Sequence, residues 1–197
     1  PVVLVGASSG GFATRILASE HRELVAGLVL VDASHEQQRA RQAAAGLEFP
    51  VPRGLKLVVL SASLGLLRLR GETLGLRPEL ADPSVRPYLK ATAHRASRYR
   101  ATYDELLAWP ESEKEVAASR RTLDLPLVVL TAGLSAGPGD AIHRELQQDL
   151  LALSTRSCQM IAARSYHAIA GDEPELVVKA IRAVIDAARD GQSRPGC

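Results

Sequence analysis

The chain opens Pro1-Val-Val-Leu-Val-Gly-Ala-Ser-Ser-Gly-Gly11. The consecutive apolar side chains at 2–5 predict a strand covered on both faces, as in a parallel sheet. A turn of small residues follows. Beyond it Phe12, Ile16 and Leu17, with Ala13 and Ala18, recur at helical spacing. Three more apolar runs, at 27–31, 127–131 and 158–162, repeat the strand signal. After the third run Ile142, Leu146, Leu150 and Leu153 form a helical stripe; after the fourth, Leu176, Val177, Ala180, Ile181, Val184, Ile185 and Ala188 form the strongest one. Pro174 belongs in the first turn of that last helix, and Asp172 is placed as its cap. Strand alternating with helix makes this an α/β fold with a mostly parallel sheet and right-handed crossovers.

Composition narrows the function. The 197 residues suffice for a sizeable core, and 24 basic against 22 acidic side chains, interleaved along the chain, leave a net charge of +2. That balance, with only 4% aromatic residues, gives no footprint for nucleic acid. No apolar run reaches the ~18 residues of a membrane span. No His, Cys and carboxylate cluster has metal-ligand spacing, so no metal is expected. Cys158 and Cys197 make no disulfide framework, and a cytoplasmic setting is favoured. The expected partner is a small-molecule substrate; oligomeric state is open.

Two chemistries compete for the turn Gly6-Ala-Ser-Ser-Gly-Gly11. As G-x-S-x-G it is a nucleophile elbow, with Ser8 raised on a strained turn and the Ser9 N–H aimed at a developing oxyanion. A Cβ at Gly6 or Gly10 would then strike a neighbouring element. Alternatively the turn resembles the phosphate-cradling turn of short-chain dehydrogenases, an NAD(P)-binding family, with Asp32 on a ribose hydroxyl. Against this, Phe12 replaces the third glycine, and no Tyr has a Lys four residues on.

A serine hydroxyl needs a base, and the base an orienting acid. His21, in a polar connection, is expected in solvent; His35, His94 and His143 are expected in surface or packing roles. His167 lies between the fourth run and the last helix, at the C-terminal end of a strand. In a parallel sheet that end shares a rim with Ser8.

These residues carry a resemblance to the α/β-hydrolases. The opening strand and elbow resemble that family's, as do Val25-Ala-Gly-Leu-Val-Leu-Val-Asp32, Leu125-Pro-Leu-Val-Val-Leu-Thr-Ala-Gly133, and Ser165-Tyr-His167 with Asp172-Glu-Pro-Glu-Leu-Val177. The resemblance implies a serine hydrolase cleaving an ester-like bond through an acyl-enzyme. Ser8 would be the nucleophile, His167 the base, Asp32 the acid and Ser9 N–H the oxyanion donor. No cofactor is implied. Many family members carry the acid after the strand that is 127–131 here, where this chain first offers Asp140. Asp32 is preferred, because Asp140 is placed to cap a helix at 141–153. A hydrolase-like binding module without catalysis is the remaining alternative.

The resemblance implies a hydrolase core at 1–34 and 124–190, a helical cap inserted at 35–123 and a flexible tail at 191–197. Helical patterns at 36–45, 55–69 and 84–107 fill the insertion, separated by Pro50, Pro52, Gly71, Gly75, Pro78, Pro83 and Pro110; a strand at 57–60 is an open alternative. Its leucines (55, 57, 60, 64, 66, 67 and 69) are read as packing, or as a channel for a lipophilic substrate. Its arginines, Arg77 among them, are read as a solvated face. The family has strands ahead of the elbow, so the chain is expected to be the C-terminal part of a longer hydrolase.

Overall fold

The computed structural model describes residues 1–47, 54–71, 83–84, 86–134, 137–191 and 194–197. Four apolar runs become strands: β1 (Val2–Ala7), β2 (Val25–Val31), β3 (Leu123–Ala132) and β4 (Ser154–Ala162). They pair in parallel in the order β1-β2-β3-β4, with Leu28 opposite Leu127 and Val128 opposite Cys158. Successive side chains of the two central strands go to opposite faces, and both faces are covered, so the runs are apolar at every position. On one face Leu28, Leu30, Leu127 and Val129 pack with Ala18 of α1 (Gly10–Glu20). Leu150 and Leu153, in the 3-10 turn that follows α7 (Asp140–Asp149), join them. On the other face Val29, Val31, Val128 and Leu130 meet Ile169 of α8 (Ile169–Asp172) and Ala180 and Val184 of α9 (Pro174–Arg189).

The chain divides into two compact units, one of Pro1–Phe49 with Glu111–Cys197, the other Pro50–Pro110. The helix α2 (Gln38–Ala44) packs against α7 within the first unit, whereas the sequence pattern places it in the insertion. In the second unit the leucine-rich stretch is helical, as α3 (Leu55–Ser63) and α4 (Leu66–Arg70), so the strand alternative at 57–60 is not realised. Gly65 separates the two helices with φ +74°, a conformation that L side chains rarely adopt. Then come α5 (Arg86–Thr92) and α6 (Ala96–Ser119), whose Pro110 marks the end of the unit. Ala62, Leu67 and Tyr99 form its core, and the Tyr99 hydroxyl donates to the Ala93 carbonyl at 2.8 Å. The leucines divide: Leu55 and Leu67 are buried, while Leu57, Leu60, Leu64 and Leu69 are more than half exposed. Pro50, Pro52, Gly75, Arg77 and Pro78 lie outside the described residues.

Two local expectations are corrected. Asp172 ends α8, and Glu173 takes the position before Pro174; its carboxylate turns back to accept from Arg164 N–H and the Ser165 hydroxyl at 2.8 and 2.9 Å. Cys197, expected at the end of a loose tail, is joined by a disulfide to Cys158 of β4, and Pro195 is buried beside it.

Behind the rim of the sheet, the segment that follows β2 carries a buried ionic cluster. Glu36 accepts from Arg15 of α1 at 2.7 Å and from Arg120 at 2.6 Å; the Arg15 and Glu36 side chains are 3% and 5% exposed. His35 is fully buried, with Nε2 2.8 Å from Asp149 at the end of α7. It therefore belongs to this ion network, not to the surface or a simple packing site. Burial opposes the charge on Glu36, but Arg15 and Arg120 outweigh it and hold the carboxyl down at about 2.

Candidate active site

Ser8 follows β1 with φ +52°, and Asp32 follows β2 with φ +43°; among the described residues these are the two non-glycine residues in the left-handed region. Such backbone persists only where neighbours over-determine it. Here Ser8 N–H donates to the Val31 carbonyl at 3.1 Å, and the Ser8 carbonyl accepts from Gly11 and Ser34 at 3.0 and 2.9 Å. Asp32 N–H donates to the Leu130 carbonyl at 2.7 Å.

The glycines differ from expectation. A Cβ on Gly6 would collide with Thr14 and with the backbone of Gly10 and Gly11, so that position does require glycine. A Cβ on Gly10 would meet nothing within 4 Å. The second tight position is Gly11, where a Cβ would fall 2.6 Å from the Ala33 Cβ. Gly11→Ala is therefore expected to destabilise the protein by about 1–3 kcal/mol through overpacking. Gly10→Ala should be neutral or slightly stabilising in a helix. Urea melts of both variants check this; equal midpoints would refute it.

Over this turn the structure brings three side chains together. His167 Nε2 lies 3.0 Å from Ser8 Oγ, and His167 Nδ1 lies 2.7 Å from Asp32 Oδ2, with serine and histidine 159 positions apart in the chain. The histidine loop is shaped by Leu134 N–H donating to the Ser165 carbonyl and by the buried Ser165 hydroxyl on Glu173. The Asp32 carboxylate is 3% exposed and the imidazole of His167 is 61% exposed, so the carboxylate lies inside the protein and the imidazole faces outward. Ser9 precedes α1, and its N–H makes no hydrogen bond within the described residues; it stands where a helix N-terminus attracts negative charge. Asp140 opens α7 and accepts from Gly137 N–H at 2.8 Å; no hydrogen bond joins it to His167 among the described residues.

Burial pushes the Asp32 carboxyl up, but hydrogen bonds from His143, His167 and Ala132 N–H outweigh it and hold the group far below the ordinary carboxylate range. The hydrogen bond to Asp32 raises His167 above the ordinary histidine value, against a smaller opposing effect of burial.

Sequence reasoning missed His143. It sits in the first turn of α7 with Nε2 3.0 Å from Asp32 Oδ1, so its expected surface or packing role gives way to a place beside the acid. The signal was available: a helix that follows a strand starts on the same rim as the strand ends. His21 is half exposed near Glu23, as expected, and His94 lies between α5 and α6 in the second unit.

A parallel sheet with a serine on a strained strand-to-helix turn, and a histidine in the loop before the last helix, is the architecture of the hydrolases built on an elbow. The model of the "Alpha/beta hydrolase family" matches residues 1–180, and the chain belongs to that family. This assigns the turn at 6–11 to a hydrolase family rather than to the short-chain dehydrogenases. Solved structures similar to the chain share its fold at low identity. An N-formylmaleamic acid deformylase from Pseudomonas putida S16 is 16% identical, with a TM-score of 0.59 over 91% of this chain and 66% of that one. A Pseudomonas aeruginosa protein provisionally named an epoxide hydrolase is 14% identical, with a TM-score of 0.61 over 95% and 66%. An Acinetobacter baumannii AYE protein provisionally named a lipase is 15% identical, with a TM-score of 0.59 over 98% and 62%. The chain thus spans slightly less than two thirds of the length of these three structures. No curated protein matches it.

Among the described residues no helix is long and apolar enough to cross a membrane, and no three His, Cys, Asp or Glu side chains are grouped to hold a metal ion.

Proposed function

We propose that the protein is a serine hydrolase that cleaves an ester-like acyl bond of a small, lipophilic substrate. The observation that carries the reading is the continuous chain Ser8 Oγ, His167 Nε2, His167 Nδ1, Asp32 Oδ2 at 3.0 and 2.7 Å. His167 takes the Ser8 proton on Nε2 as Oγ attacks the carbonyl carbon, and Ser9 N–H receives the oxyanion. His167 then gives that proton to the leaving alkoxide, which departs as an alcohol. A water, deprotonated by the same nitrogen, attacks the acyl-enzyme and releases the acid and Ser8. Asp32 stays ionised and stabilises the imidazolium. The serine in the elbow favours acyl transfer over the aspartate-nucleophile chemistries of the family. The lipophilic preference rests on the leucine-rich composition of the stretch 55–69.

A fluorophosphonate probe tests this. It should phosphonylate the wild type at Ser8 with loss of fluoride, located by peptide mass spectrometry, and leave Ser8→Ala unmodified. A wild-type chain that resists labelling is a binding module, and equal labelling of Ser8→Ala places the nucleophile elsewhere. The labelling rate carries a pH signature. Only neutral His167 can accept the proton, and its raised pKa keeps it charged to higher pH, so the rate should climb through a midpoint above the ordinary histidine value. A midpoint at or below that value contradicts the Asp32 assignment.

A further inference from the structure

Asp32 Oδ1 has two donors, and the proposed mechanism uses neither. One is the Ala132 N–H at the end of β3, at 3.0 Å; the other is His143 Nε2, also at 3.0 Å. A carboxylate only accepts, so the short contact fixes His143 as the form with a proton on Nε2. The imidazole is 19% exposed, far less than the 61% of His167. His143 is held from below by its own N–H on the Gly139 carbonyl at 3.0 Å. Asp32 is the charged partner the structure gives it. Arg41 of α2 reaches Glu145 of α7, and Asp140 accepts from Gly137 N–H. Gln147, one turn along α7, donates to the Ala33 carbonyl at 2.6 Å, tying the helix to the segment that carries Asp32.

With Oδ2 bound to His167 alone, the carboxylate could swing about its last torsion. Two donors on Oδ1 fix its plane, and with it the ring of an exposed histidine that has to present Nε2 to Ser8. We infer that His143 is a positioning residue of the Ser8 reaction, holding the Asp32 carboxylate in the orientation that aligns His167. The inference rests on the reading of Ser8 as nucleophile.

The test combines labelling kinetics with nitrogen-15 NMR of the histidine rings. In His143→Ala the maximal rate of phosphonylation at Ser8 should fall about tenfold, with the half-saturating probe concentration unchanged, as for a hydrogen bond that matters in the transition state and not in binding. His143→Gln, whose amide can donate to the same oxygen, should recover to within about threefold of the wild type. NMR should find His143 protonated on Nε2 and His167 on Nδ1, a readout that does not depend on activity. The inference is overturned by a folded His143→Ala that labels at the wild-type rate. It is equally overturned by a loss that Gln fails to restore in a variant of unchanged melting temperature, or by a bare Nε2 on His143. Failure of the nucleophile reading would look different: Ser8→Ala would label like the wild type while the ring tautomers stayed as stated.

Discussion

Asp32→Asn is expected to slow phosphonylation of Ser8 by about 10³- to 10⁴-fold while the protein stays folded. The backbone is no obstacle, since Asn tolerates the left-handed conformation, φ +43°, as well as Asp does. The damage is in the donors and acceptors. Ala132 N–H is fixed in the sheet and His143 Nε2 lies beside it, both on Oδ1, so the one carbonyl oxygen of Asn stays there. Its NH2 then occupies the Oδ2 position, 2.7 Å from His167 Nδ1. An amide donor at that place asks Nδ1 to accept, which moves the ring proton to Nε2 and points an N–H at Ser8. A histidine in that form cannot take the serine proton. The influence that raises His167 is lost as well, so what activity remains should titrate with a lower midpoint than in the wild type. Asp140→Asn is the control. Asp140 accepts from Gly137 N–H in the loop before α7, so its replacement should change labelling by no more than about threefold. If Asp140→Asn abolished labelling and Asp32→Asn left it within a few fold, the roles of the two acids would be reversed.

The strands were legible because both faces of the sheet are covered, which writes each central strand as an unbroken apolar run. The two ends of the serine–histidine pair were legible for a related reason. In a parallel sheet the chain must cross back after every strand, so strand ends far apart in sequence share one rim. What could not be read was decided by packing over three dimensions. Gly10 and Gly11 look alike in a sequence, and only the approach of Ala33 to Gly11 tells which of them has no room for a side chain. His35 and His143 sit in polar stretches that read as surface. Each is drawn into a polar network because an element distant in the chain, Asp149 for one and Asp32 for the other, arrives beside it. The segment 32–36 shows the difference most clearly. Asp32 holds His167, Ala33 limits the approach of α1, Ser34 N–H holds the Ser8 carbonyl, and His35 and Glu36 enter the ionic cluster. Five neighbours in sequence thereby fix both the turn at Ser8 and the Asp32 carboxylate, and of the five the sequence pattern marks Asp32 alone.

That cluster gives the largest expected effect on stability. Glu36→Ala should cost about 3–5 kcal/mol, a large part of the roughly 5–15 kcal/mol that holds a domain folded. The reason is Arg15, whose side chain is 3% exposed and whose Nε and Nη1 have no hydrogen-bond partner among the described residues. Its ion pair is with Glu36, and without that carboxylate a buried guanidinium stands uncompensated. Arg120 suffers less, because it is more exposed and keeps Asp149 at 2.7 Å. Replacing both buried partners, as in Arg15→Met with Glu36→Leu, should recover most of the loss, since an apolar pair of similar volume needs no counter-charge. The pH dependence follows from the depressed carboxyl. A group held near 2 in the folded protein, against 4.5 when free, contributes its stability above the ordinary carboxylate range and loses it as the pH falls toward 2. Urea melts across that window should show the wild type losing stability on acidification and Glu36→Ala lacking that component. Because Ser34 anchors the elbow two residues earlier, the single variant should also label more slowly, and the double variant should regain rate together with stability. A Glu36→Ala protein that melts within about 0.5 kcal/mol of the wild type, as a surface substitution would, removes the cluster from any role in holding the elbow.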